Sequence, residues 1–63
     1  MKPEHYASII RLNYEIIDIQ AVIANLLRVT DPSRFKEVAS QLIVLKNELA
    51  SLRMERKAFL DDV

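Results

Sequence analysis

The chain has 63 residues, nine basic and nine acidic, so its formal charge is zero; about half of it is apolar. That length allows one domain and lies near the lower limit for a self-sufficient core, where small chains recruit a staple, a metal or a partner chain. Cysteine is absent and histidine occurs once, at His5, which rules out disulfides, thiolate metal sites and a histidine metal cluster, so no metal or cofactor is expected.

The opening "MKPEHYAS" is polar and no apolar core comes directly after it, so no signal peptide is expected. No uninterrupted apolar run approaches the ~20 residues needed to span a bilayer, and the expectation is a soluble, cytoplasmic protein. The balanced charge argues against an electrostatically driven nucleic-acid binder, whose domain is typically basic.

The first predicted element is a helix over about residues 3–29. Pro3 suits its first turn, where the missing N–H has no intrahelical partner. His5 reads as an exposed residue of that turn. "TDPSRF" then starts a second helix, over about 32–60, with the connection at about 29–31. Asp31 is the N-cap, its carboxylate accepting from a free backbone N–H. Pro32 is the first helical residue and disfavours helical geometry at Asp31, which ends the preceding helix. So short a link makes the two helices antiparallel neighbours.

Heptad spacing supports this. Ile9, Leu12, Ile16, Ile19, Ile23 and Leu26 recur at alternating steps of three and four, as do Phe35, Val38, Leu42, Leu45, Leu49 and Leu52. These are the a and d positions of a coiled-coil seam. Folding at the turn pairs Leu26 with Phe35, Ile23 with Val38 and Ile19 with Leu42. Ile16 then meets Leu45, Leu12 meets Leu49, Ile9 meets Leu52, and a polar layer of His5 with Arg56 comes next. Leu45 is thus a central-layer residue, whose truncation to alanine is expected to cost about 2–5 kcal/mol. The fold class is all-α: an antiparallel two-helix coiled-coil hairpin in one domain, 1–63, expected to dimerise into a four-helix bundle.

The hairpin has two broad faces. The face built from g and c positions carries Glu4, Glu15, Asp18, Glu37, Glu48, Glu55 and Asp62 against Arg11 and Arg34, and reads as a solvated face on which Val44→Lys should change little. The e and b positions differ. They show Tyr6, Ile10, Asn13, Ile17, Gln20, Ala24 and Leu27 from the first helix. From the second come Ala39, Ile43, Lys46, Ala50, Arg53, Lys57 and Leu60, with Lys36 at the edge. This face has four bases and no acid, and near the turn it is apolar. A patch of that kind marks a protein interface. The expected oligomer or partner interface is therefore Tyr6, Ile10, Ile17, Ala24, Leu27, Ala39, Ile43, Ala50 and Leu60. Lys46, Arg53 and Lys57 stand ready for an acidic partner or RNA. Asn13 and Gln20 either set register, as polar residues do in bundles, or are ordinary exposed residues.

No catalytic set can be assembled. Ser8, Ser33, Ser40 and Ser51 have no histidine placed to activate them except distant His5, and the acids are scattered over a solvent face. The expectation is a non-enzyme. "RMERK", Arg53 to Lys57, is the densest basic stretch, but Glu55 interrupts it and a helix C-terminus favours cations anyway. Tyr6 and Tyr14 are too sparse for a base-stacking platform.

The chain resembles known families in three ways. "EIIDIQAVIANLL" resembles the first helix of AroQ-type chorismate mutases, a fold built with a third helix and further basic active-site residues that these 63 residues do not hold. The whole-chain pattern resembles Rop, the small RNA-binding plasmid regulator: a short, glycine-poor hairpin with heptad layers and Asp in its turn. That resemblance implies an antiparallel dimer forming a four-helix bundle. The Rop-like family linked to nitrogen-fixation operons is similar in "RLN" (Arg11 to Asn13) and in an aromatic after the turn, Phe35. "DPSRF", Asp31 to Phe35, also resembles the small YscE/PscE-type co-chaperones of type III secretion, which are hairpins of similar size.

Two functions compete. The first is a homo-oligomeric adaptor or regulator that buries its e/b face against another copy. The second is a co-chaperone or small subunit of a hetero-complex, whose e/b face docks an acidic, apolar partner helix. An RNA-binding regulator is the third and weakest. Neither a membrane nor a small-molecule substrate is expected.

Overall fold

The computed structural model describes residues 2–61. It is a hairpin of two helices packed on each other, α1 over Pro3–Leu26 and α2 over Phe35–Asp61, joined through a 3-10 turn at Pro32–Arg34. The molecule is a rod of 49 × 15 × 11 Å. Its radius of gyration is 14.9 Å, where a compact chain of this length would have about 11 Å.

Each helix end has a local chemical cause. Pro3 lies in the first turn of α1, and the Lys2 carbonyl accepts from the His5 and Tyr6 amides at 3.0 and 3.2 Å. Glu4 adds a negative charge where the helix dipole is positive. The chain has no glycine, and every described residue keeps a negative φ. The common left-handed cap is thus not used at the end of α1. Instead the last turn tightens: the Arg28 amide donates to Asn25 O and the Val29 amide to Leu26 O, both at 3.2 Å.

Asp31 caps the next segment as the "TDPSRF" pattern implies. Its Oδ1 accepts from the Ser33 amide at 3.0 Å and from Ser33 Oγ at 2.9 Å. The segment it caps is the 3-10 turn, and regular α-helix starts only at Phe35. The connection is therefore longer than the sequence suggests. α1 ends at Leu26 and about one turn of chain is spent in 3-10 geometry before α2 begins.

That extra turn changes the register. The expected polar layer, His5 with Arg56, does not form. The His5 ring instead lies against Phe59, three residues further on, with centroids 5.2 Å apart. That contact leaves His5 half-buried rather than exposed. Stepping in heptads forward along α1 and back along α2 sets Leu12 level with Leu52, Ile19 with Leu45, and Leu26 with Val38. Burial agrees. Val38 is buried, whereas Phe35, the expected partner of Leu26, is 51% exposed.

The core is small. Ile9, Leu12, Ile16 and Val38 are its buried members, and Leu12 is the one large side chain fully buried among the described residues. Ile9 and Leu12 lie in the first half of α1, toward the open end, Ile16 lies near its middle, and Val38 lies near the turn. Arg56, in the seam there, is half-buried and donates from Nη1 to Asn13 Oδ1 at 2.7 Å. Asn13 is therefore a cross-helix partner rather than an idle surface amide.

Candidate interaction surfaces near the turn

Eleven large apolar side chains are exposed among the described residues, against four that are buried. A two-helix rod explains why. Each helix can turn one stripe inward, and the remaining apolar positions have nothing to cover them.

The e/b face holds the residues that the heptad pattern assigns to it. Tyr6, Ile10, Ile17, Leu27, Ile43 and Leu60 are exposed large hydrophobics, with Ile17 at 58% and Ile43 at 63%. Ala24, Ala39 and Ala50 are exposed beside them. A shallow hollow of about 290 Å³ lies on the α1 part of this face, lined by Ile10, Asn13, Tyr14 and Ile17. Lys46, Arg53 and Lys57 are exposed on the α2 part. This face thus carries apolar side chains along its length, with the bases on its α2 side.

The g/c face departs from the solvated surface expected of it. Its turn-proximal half is an open apolar groove of about 450 Å³ lined by Val22, Leu26, Ser40, Gln41, Val44 and Leu45. Val22 is 46% exposed and Val44 64% exposed. Val44 is thus part of an apolar surface and not an inert control position. The sequence held the signal, since Val22 and Val44 occupy g and c positions, but a count of charges on that face hides two valines.

Further from the turn the same face becomes acidic. Glu15, Asp18 and Glu48 line a second hollow of about 330 Å³ together with Ile19 and Leu52. The two faces thus both expose apolar side chains and carry charge of opposite sign, bases on the e/b face and acids on the g/c face. Asp62, which the pattern places on the acidic side, lies outside the described residues.

The exposed area measures the surplus. The accessible surface is 4887 Å², whereas a compact monomer of 7.3 kDa would expose about 4,200 Å². The excess, roughly 700 Å², is close to the ~800 Å² that each partner contributes to a standard protein interface.

Among the described residues no group of three or more His, Asp or Glu is arranged to hold a metal ion, and no helix is long and apolar enough to cross a membrane. Comparison of the chain with protein-family models, with curated proteins and with solved structures finds no match.

Proposed function

We propose that this chain is a non-enzymatic self-assembly module: a helical hairpin whose copies bury their turn-proximal apolar surfaces on one another. The smallest product is a four-helix bundle of two hairpins. The observation that carries this is the ratio of eleven exposed to four buried large apolar side chains among the described residues. At ~25 cal/mol per Å² of apolar surface, covering such area is the largest stabilising term open to a chain this small. The assembled form would act as an adaptor or regulator in the cytoplasm.

The test is sedimentation of the purified chain over a range of concentrations, beside Ile17→Glu with Ile43→Lys. Both isoleucines are exposed in the hairpin, so the variant should stay helical. It should also lose self-association, because a charge cannot be buried against apolar neighbours without a partner. A parent chain that stays monomeric at every concentration overturns the reading.

A second reading is favoured by Lys46, Arg53 and Lys57 standing beside the exposed isoleucines. It is a subunit of a hetero-complex, similar in kind to the YscE-type co-chaperones, docking a helix with an apolar stripe and acidic flanks. A monomeric parent would point there. RNA binding by the same bases falls behind both, since the three lie in one short stripe and the net charge is zero.

A further inference from the structure

We propose that the copies stack back to front, with the e/b face of one hairpin on the g/c face of the next and all turns at the same end. This stacking rests on the self-assembly just proposed and names the surfaces that meet.

The two faces match along α2. On the e/b face Ile43 lies at the level of Val22 and Val44 on the opposite face, while Ile17 lies three to five residues further from the turn, at ~1.5 Å each. When two hairpins lie parallel, Ile43 of one therefore meets the groove of the other, and Ile17 lies just beyond it toward the open end. Beside them Lys46 of the first face comes level with Glu48 of the second, and further from the turn Arg53 and Lys57 come level with Glu55. Apolar surface meets apolar surface, and bases meet acids.

The symmetric alternatives fail one of these two conditions. Joining two e/b faces with the turns together lays α2 of one copy over α1 of the other, so Lys46, Arg53 and Lys57 face Tyr6, Ile10, Asn13 and Ile17 and meet no acid. Joining two e/b faces with the turns apart sets the apolar half of each hairpin on the basic half of the other. Joining two g/c faces with the turns together sets Glu15 and Asp18 of each copy against Glu48 of the other, and like charges brought together at an interface are penalised.

A back-to-front contact uses a different surface on each partner. It leaves one face of each kind open at the ends, so it continues into a ring or an open stack rather than stopping at two.

The test uses two variants, each blocked on one face. The first is Ile17→Glu with Ile43→Lys; the second is Val22→Glu with Val44→Lys. All four positions are exposed in the single hairpin, and circular dichroism checks that both variants stay helical. Back-to-front stacking predicts a parent larger than a dimer, two variants that are each monomeric alone, and a one-to-one dimer when they are mixed. A parent that stops at a dimer overturns the inference and leaves self-assembly standing. So does a second variant that associates by itself, since e/b would then be meeting e/b. A parent that is monomeric overturns the underlying function.

If either double variant loses its helicity, charge reversal replaces it. Lys46→Glu with Arg53→Glu is paired with Glu48→Lys with Glu55→Lys, all at exposed positions. Each alone should associate at least tenfold more weakly than the parent, mixing should restore association, and added salt should weaken the parent. Failure of the mixture to recover overturns the proposal.

Discussion

Truncating Leu12 to alanine probes where the hairpin is held together. Leu12 is 0% exposed, and its level partner across the seam is Leu52, which is half-buried. The change removes three carbons from the core, worth about 0.8 kcal/mol each, or about 2.4 kcal/mol in transfer free energy. A cavity penalty of about 24 cal/mol per Å³ would normally be added. Here the rod is only 11 Å across its thinnest direction, so the space opens toward solvent and the added penalty is small. A loss of about 2.5–3 kcal/mol is expected. A stability of about 0.05–0.15 kcal/mol per residue makes that about a quarter or more of the total for a chain this short. The corresponding fall in Tm is about 10–20 °C. Thermal melting monitored by circular dichroism reads it, at a protein concentration low enough to keep the chain dispersed. Leu45→Ala is the comparison. Leu45 is half-buried and lines the open groove, so in the dispersed chain it should cost clearly less than Leu12→Ala. Equal melting of Leu12→Ala and parent would refute the placement of the core. A larger loss for Leu45→Ala would show that the central-layer assignment from the sequence was right.

Asp31→Ala should cost about 1 kcal/mol, since it removes both bonds to Ser33 at the start of the 3-10 turn, and Asp31→Asn should recover most of that loss; chemical denaturation measures both. A double-mutant cycle of Asn13→Ala and Arg56→Ala should give a coupling of about 1 kcal/mol through their 2.7 Å bond, and additive effects would mean that the pair does not hold together in solution. Val44→Lys alone should weaken self-association while leaving the melting temperature of the dispersed chain near that of the parent, because Val44 is 64% exposed on the groove; unchanged sedimentation would exclude the groove as a contact surface.

The two helices and the turn were legible in the sequence because each rests on a local rule. Alternating steps of three and four place Ile9 through Leu26 on one stripe. The Asp31–Pro32 pair marks a capped helical start, and the Asp31 carboxylate does bond to the Ser33 amide. Register was not legible, for a physical reason. Every layer from Ile9 to Leu26 offers a leucine or an isoleucine, so sliding α2 by one layer still sets apolar against apolar. Only the open end of the seam breaks that degeneracy, where His5 meets Phe59 and Arg56 reaches Asn13. The length of the connection decides the slide. That length depended on Pro32–Arg34 being 3-10 rather than α, a difference that Asp-Pro capping does not announce.

Buried and exposed apolar positions divide two tasks. From the open end to the middle of the rod, Ile9, Leu12 and Ile16 are covered, and the Asn13–Arg56 bond satisfies the guanidinium drawn into the seam. Nearer the turn, Val38 is the sole buried member among the described residues. Ile17, Val22, Ile43 and Val44 face outward on opposite sides, and Tyr6, Ile10, Tyr14, Met54 and Leu60 are exposed toward the open end. The residues that hold the monomer together are thus not the ones that present apolar surface. Substitutions at Ile17, Ile43, Val22 or Val44 can therefore change association while the fold persists. Substitutions at Leu12 should weaken the fold and, only through it, the assembly. The core must be this small because 63 residues in two helices have one seam to bury. Any further apolar position on the same helices has to be covered by a second molecule.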